Sequence, residues 1–324
     1  MTKIIKEYLI QSLAPGKFVS GQKLGNELNV SRAAIAKHMA TLVNMGLDVF
    51  SVRGKGYKLS APLSLLNKDD IAVQLSLTQS GIIEVHSVID STNDYLMRRL
   101  PNQITQGQVC LAEYQSAGRG RRGRQWISPF GSQIYLSMYW YLEQGLSAAM
   151  GLSVAAALAV SDAILLHCGV QVQLKWPNDI YLGGVKLAGI LIELEGQALD
   201  PSHSVIGIGL NINLPEKSVR EITQQCTDLH AHSPIEIDRN LLSAQLISCL
   251  WKRLAQHSEH GLIDMLSEWH AADIYLNKRV KLITGDKEIL GICRGLNNHG
   301  ALLLEVDGKV KPIYGGEVSL RGNE

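Results

Sequence analysis

Residues 118–124 read Gly118-Arg119-Gly120-Arg121-Arg122-Gly123-Arg124, four guanidinium groups and three glycines in seven positions. Charge of one sign at this density repels itself, so the run suits a loop whose rigid donor forks meet phosphate or carboxylate oxygens, not a folded core. The glycines let the backbone approach such a ligand and move around it. A solvated basic loop and a strip that binds RNA are the competing readings. Strand-like apolar runs stand on either side, at 109–114 and 133–141, which places the loop on an α/β body.

Working outward, the α/β pattern covers residues 68–270. Further strands are expected at 172–176, 187–195 and 204–214, and helices at 91–100, 148–167 and 239–258. The uncharged stretch 146–161 is shorter than the roughly 18 residues a membrane span needs, and a helix buried against a sheet is expected there. The start, Met1-Thr2-Lys3-Ile4-Ile5-Lys6-Glu7, breaks any apolar run with charge, so no signal peptide is expected. Five widely spaced cysteines, none in a C-x-x-C pair, read as reduced core thiols of a cytoplasmic protein.

Charge is unevenly placed. The whole chain has 31 basic and 30 acidic residues, but residues 1–60 hold nine Lys or Arg against three Asp or Glu. A basic first segment on a mildly acidic body points to nucleic acid at the N-terminus alone. Ile5, Leu9 and Leu13 mark a first helix that stops at Pro15-Gly16. Ser20 caps a second, bearing Leu24 and Leu28 and ended by Asn29. Ser31 caps a third, with Ile35, Met39, Leu42 and Val43 on one face and Gly46 as its stop. Strand-like residues 48–52 and 57–59 flank Arg53-Gly54-Lys55-Gly56, a hairpin with a basic tip. The segment reads as a winged helix-turn-helix. Ser31, Arg32, Lys37 and His38 on the third helix and Arg53 and Lys55 on the wing are the expected DNA contacts.

After residue 271 the pattern changes to short strands at 279–284, 288–295, 301–306 and 310–314, with turns at Gly285-Asp286 and Asp307-Gly308. A small β-barrel is expected. The domains expected are therefore a DNA-binding unit at 1–62, with a boundary at Ala61-Pro62-Leu63-Ser64, a central unit at 68–271 and a barrel at 272–324. The fold class is α+β, multidomain.

Common catalytic signatures are missing. There is no G-x-x-x-x-G-K-[ST], no H-E-x-x-H and no G-x-S-x-G, and Gly207-Ile208-Gly209 lacks the third glycine of a dinucleotide fingerprint. His230 and His232 have no partner at metal-site spacing, so no protein-held metal is expected. A polar set remains: Ser91-Thr92-Asn93, Gln115, the arginine loop, Trp126, Lys175-Trp176-Pro177-Asn178-Asp179, Lys186 and Asn211.

Together with Asp90-Ser91-Thr92-Asn93, Glu113-Tyr114-Gln115 and Lys186-Leu187-Ala188-Gly189-Ile190-Leu191, this set strongly resembles the bifunctional biotin protein ligases that also act as biotin operon repressors. Ser31-Arg32-Ala33-Ala34-Ile35 and Gly54-Lys55-Gly56-Tyr57 extend the resemblance to the first segment, so it spans essentially the whole chain. It implies a central domain of the class II synthetase and lipoate–biotin ligase type, followed by an SH3-like barrel. It also implies two half-reactions: biotin and ATP give biotinyl-5′-adenylate, and a lysine of the biotin carboxyl carrier protein of acetyl-CoA carboxylase then takes the biotinyl group. Mg²⁺ is implied as cofactor. The adenylate is implied as corepressor of a homodimer on operator DNA of biotin biosynthesis genes.

On that resemblance Lys186, Arg119 and Arg121 are the catalytic cations. Ser91, Thr92, Asn93, Gln115, Arg119, Gly120, Arg121 and Lys186 contact biotin. Arg122, Arg124, Trp126 and Asn211 contact the nucleotide. Trp126 flanks the adenine or packs in the core; Asp179 orients Lys186 or helps to hold Mg²⁺. A mixed anhydride needs protection from water, so residues 118–124 are expected to be mobile without ligand and to fold over it. The segment 215–234 departs from the family in having no Trp or Phe, which puts the coupling of ligand to dimerisation in question. Strand 187–195 is the expected dimer edge, guarded by Glu193 and Glu195. A biotin-sensing repressor without chemistry and a lipoate-type ligase are the alternative readings.

Overall fold

The computed structural model describes residues 2–75, 83–143, 145–149, 151–197, 200–284, 287–314 and 318–322. Three helices open the chain, α1 Thr2–Leu13, α2 Gly21–Leu28 and α3 Arg32–Asn44. Ile5, Leu9 and Leu13 bury the face of α1 that their spacing predicts. The Ser20 hydroxyl accepts from the first amides of α2, and Asn29 ends that helix in the left-handed conformation (φ 51°). Ile35, Met39 and Leu42 of α3 are buried, whereas Val43 is 41% exposed. At 100° per residue Val43 sits roughly 80° round from Ile35, at the margin of the buried stripe. Strands β1 Val49–Val52 and β2 Gly56–Leu59 pair antiparallel as the expected hairpin. Gly56 (φ 101°) leaves no room for a side chain, because a Cβ would lie 2.1 Å from the Val19 carbonyl oxygen.

The chain continues through α4 Lys68–Ala72, β3 Ile83–His86, α5 Thr92–Met97, β4 Val109–Ala112, β5 Gln133–Leu142, α6 Leu152–Cys168, β6 Gln173–Lys175, β7 Asp179–Leu182, β8 Val185–Glu195 and β9 Ser202–Asn211. Its seven strands form one sheet in the order β3-β4-β5-β9-β8-β7-β6. Only β3 and β4 run parallel; the other neighbours are antiparallel. β3 and β7 were not expected, since each has four residues and begins or alternates with polar ones. The short helix α7 Glu216–Glu221 precedes α8 Arg239–His260 and α9 Leu266–Ala272. The first part of α6 is buried, as the uncharged composition of that stretch predicts, while Leu165 and Leu166 near its end are exposed; the helix packs with α8 in the central core. Among the described residues no helix is long and apolar enough to cross a membrane.

Five strands close the chain: β10 Arg279–Thr284, β11 Lys287–Leu296, β12 Leu302–Val306, β13 Lys309–Ile313 and β14 Val318–Gly322. They form a small antiparallel sheet, ordered β13-β12-β11-β10-β14, which adds β14 to the four strands expected of the small β unit. The turn expected at Gly285-Asp286 lies outside the described residues. Val280, Leu282, Cys293, Leu296, Leu302 and Leu304 join the central core, and the Trp176 indole N–H donates to the Gly300 carbonyl at 2.9 Å. The N-terminal unit has its own core, into which the central unit inserts Phe130. All five cysteines are free thiols; Cys226 and Cys249 are only half-buried.

Candidate active site

One cleft of about 900 Å³ gathers every cleft residue expected from sequence: Ser91, Thr92, Asn93, Gln115, Arg119, Gly120, Arg121, Arg122, Arg124, Trp126, Lys186 and Asn211. The sheet supplies its floor and the arginine loop one wall. Ser91 caps α5 by accepting from the Asp94 amide. The Thr92 amide and hydroxyl both donate toward Gln115 Oε1, at 2.9 and 3.2 Å. Ser137 Oγ of β5 stands 2.7 Å from Thr92 Oγ1 and 2.5 Å from Asn93 Oδ1. The Asn93 amide donates to Glu193 Oε2 at 2.8 Å and to the Leu191 carbonyl at 3.3 Å. Gly207 makes this possible, since a Cβ there would lie 2.1 Å from Asn93 Oδ1. The result is a small buried pocket of fixed donors and acceptors.

The other end is cationic. Lys186 Nζ lies 2.6 Å from Asp179 Oδ1 and 5.6 Å from the centre of the Trp126 ring. Arg121 donates to Asn178 Oδ1 at 3.2 Å. Burial, then the neighbouring Arg122 charge, lowers the pKa of its guanidinium below the ordinary value. Trp126 lines the cleft, and its ring packs on Gly209 and Gly189, where a Cβ would lie 2.5 and 3.1 Å from it. Its indole N–H donates to Gln133 Oε1 at 2.8 Å. Of the two uses open to Asp179, the structure shows the ion pair with Lys186. Arg119 turns elsewhere, to Asp94 and Glu193. The loop folds on itself, with Gly120 N donating to Arg124 O and Trp126 N to Gly118 O. At its tip Arg122 and Gly123 are left-handed (φ 60° and 69°).

Asn211 is 3% exposed and donates to the Thr227 carbonyl at 2.8 Å. That bond belongs to a second wall. Residues 221–224 and Cys226 line the cleft, and the chain there is stitched to β8 through Lys186 N to Gln225 O and Thr227 N to Lys186 O. The edge expected at 187–195 holds for its last four residues and not for its first part. β8 lies between β9 and β7, and Gly189 faces Gly209 on one side and Asp179 on the other. Residues 192–195 pair with β9 alone among the described strands, and Glu193 is committed to Asn93 and Arg119 rather than standing guard.

In the N-terminal unit Ser31 caps α3, accepting from the Ala34 amide at 3.2 Å. Arg32 and Lys37 are exposed on that helix, His38 is half-buried, and Arg53 and Lys55 are exposed at the hairpin tip. Lys58 stands over the rings of Phe18 and Phe50, at 5.3 and 5.9 Å.

Three stretches match known families: residues 6–58 the HTH domain, 85–211 the biotin/lipoate A/B protein ligase family, and 275–321 the biotin protein ligase C terminal domain. Over 316 residues the chain is 49% identical to the bifunctional ligase/repressor BirA of Salmonella typhimurium, covering 98% of this chain and 97% of that one. The BirA of Bacillus subtilis is 32% identical over 326 residues, 99% of this chain and 100% of the relative. This chain belongs to the bifunctional biotin ligase/repressor family. The biotin protein ligase of Aquifex aeolicus, solved with biotin and ATP, superposes with a TM-score of 0.64 at 28% identity, covering 75% of this chain and 100% of that one.

Several residues around the cleft escaped the sequence reading. Ser137 and Gln133 lie inside the apolar run of β5, where alternation alone marks them as strand positions. Asp94 and Glu193 look like solvated helix and strand charges until α5 and β8 are brought together. Asn178 was visible within Lys175-Trp176-Pro177-Asn178-Asp179, but its bonds to Arg121 and to the Ile190 carbonyl were not.

Proposed function

We propose that this protein joins biotin to ATP in the cleft and transfers the biotinyl group to a lysine of the biotin carboxyl carrier protein of acetyl-CoA carboxylase. The observation that carries the reading is the meeting of the Thr92–Asn93–Gln115 pocket with Arg121 and Lys186 in a single cleft. In the first half-reaction a biotin carboxylate oxygen attacks the α-phosphorus of ATP and pyrophosphate leaves. Both reactants are anions, so fixed cations must offset their repulsion and the charge growing on the phosphoryl oxygens. Lys186 and Arg121 meet that need, while Ser91, Thr92, Asn93 and Gln115 hold the ureido ring. Arg119 and Gly120 border biotin, and Arg122, Arg124, Trp126 and Asn211 border the nucleotide. In the second half-reaction the carrier amine attacks the acyl carbon, loses its proton, and AMP leaves. Positioning and electrostatics suffice; no enzyme-bound acyl intermediate is required.

Mg²⁺ fits this site as a companion of the nucleotide. Among the described residues no group of three His, Cys, Asp or Glu could hold a metal, and Asp179 is paired with Lys186. Substrate phosphates would then supply most of its ligands, neutralising pyrophosphate as it departs.

The N-terminal unit, 1–62, docks α3 and the hairpin tip on operator DNA of biotin biosynthesis genes. The central unit is 68–271 and the small β unit 272–324. Loaded with adenylate, the protein pairs as a homodimer and represses in the cytoplasm. A two-fold operator requires such a dimer. Incubation with biotin, MgATP and a carrier domain, followed by the carrier's mass, tests the ligase; no gain of one biotinyl group rejects it. Lipoate in place of biotin in the same assay separates the two acids. Operator binding that is equal with and without biotin plus ATP rejects adenylate-controlled repression and leaves the ligase standing.

A further inference from the structure

Within the loop, the Arg119 guanidinium is engaged by two carboxylates. Its two terminal nitrogens meet Asp94 of α5 in parallel, at 2.9 and 2.5 Å, and Nη2 also donates to Glu193 of β8 at 2.8 Å. Glu193 uses its other oxygen to accept from the Asn93 amide at 2.8 Å. One carboxylate therefore holds the loop and aims a pocket residue. The limb that carries Arg119 is fixed a second time by its bridge to Gln125 and by the Trp126 N to Gly118 O bond. Beyond it, Arg122, Gly123 and Arg124 are exposed. The loop thus has a bolted base and a solvent-facing tip.

We infer that Asp94 and Glu193 are positioning residues that latch the base of the arginine loop across the biotin end of the cleft. This rests on biotin lying against Ser91, Thr92 and Asn93. With two carboxylates around one guanidinium, Arg119 brings no net positive charge to a bound anion. Its work is to tie α5, the loop and β8 together, while Arg121 and Lys186 face the phosphoryl group. A latch outside the reacting atoms governs how long biotin and its adenylate stay, and leaves the chemical step to the cations.

The experiment uses the full-length protein and the variants Glu193→Gln and Asp94→Asn. Labelled biotinyl-adenylate is formed in place and chased with unlabelled biotin and ATP. Glu193→Gln removes a charge-assisted partner from both Arg119 and Asn93, so dissociation and the KM for biotin rise about tenfold. Asp94 and Arg119 are part-exposed, so Asp94→Asn raises both about threefold. The kcat of pyrophosphate exchange stays within about threefold of the wild type in each. Asp94→Glu, which keeps the charge, restores slow dissociation. Unchanged dissociation in both neutral variants overturns the latch, and so does a fall in kcat with dissociation unchanged. A lowered melting temperature with dissociation unchanged overturns it as well, because bracing of the fold would then be the whole role. Wild-type protein that forms no adenylate would fail the proposed activity and not the latch.

Discussion

The cleft and the surface proposed to meet DNA both present cations, and they hold them in opposite ways. In the cleft Lys186 is about one-sixth exposed and sits 2.6 Å from Asp179, while Arg119 is held by two carboxylates. On α3 and the hairpin tip Arg32, Lys37, Arg53 and Lys55 are exposed. A small anion in transit between two half-reactions needs donors fixed before it arrives, since reorganising them during the reaction costs rate. A polyanion is bound largely by releasing its condensed counterions, which calls for accessible charge and tolerates mobile side chains. Fixed polar partners thus set Lys186, Arg119 and Arg121 of the cleft apart from the exposed cations of α3 and the hairpin tip.

The comparison breaks first if the two sets share a response to substitution. Lys186→Met should lower pyrophosphate exchange by roughly 10²- to 10³-fold, the usual loss when one preorganised donor to a developing charge is removed. The same variant should lose the effect of biotin plus ATP on operator binding while keeping weak, ligand-independent DNA binding. A second separation comes from salt. Between 50 and 200 mM the operator affinity should fall by about 10²-fold or more, as counterion release requires. The KM for ATP should move by less than about threefold, because partly buried pairs are screened weakly. Smaller still, Arg32→Ala should cost about tenfold in operator affinity and flatten the logarithmic salt dependence by about one. Pyrophosphate exchange should be unaffected, and a parallel loss of exchange would erase the distinction between the two surfaces.

How much of this was legible in sequence follows the same division. Short-range signals carried over well: Ser20, Asn29 and Ser31 cap or end the helices they were expected to, and residues 152–161 of the uncharged stretch lie in the helix α6. Residue types at motif spacing also carried over, since all twelve expected cleft residues line one cavity. Pairing across long separations did not. Nothing in the sequence near Glu193 announces Arg119, 74 positions away, because a side chain's partner is set by the folding of the sheet and not by local pattern. That only the last part of β8 lies at an edge was hidden for the same reason. Its hydrophobic run fits an internal strand equally well, and only the register with Asp179 and Gly209 decides.

The second wall of the cleft gives the finest test of fixed against free polar groups. Residues 221–226 offer neither a lysine or arginine nor a large aromatic, yet all but Gln225 border the cavity, and the segment is tied to β8 through the backbone of Lys186. Asn211 is the side-chain link, donating from the floor strand to the Thr227 carbonyl. If this wall works by being held in place, removing the link should act on binding alone. Asn211→Ala deletes one buried hydrogen bond and leaves a carbonyl without its donor, worth about fivefold in the KM for ATP. The kcat of exchange should be unchanged, because Lys186 keeps Asp179. Initial rates over a range of ATP at saturating biotin measure both numbers. A fall in kcat instead would mean that the wall positions Lys186 itself, and that the boundary between the cationic end and its neutral neighbour lies at Thr227 rather than at β8.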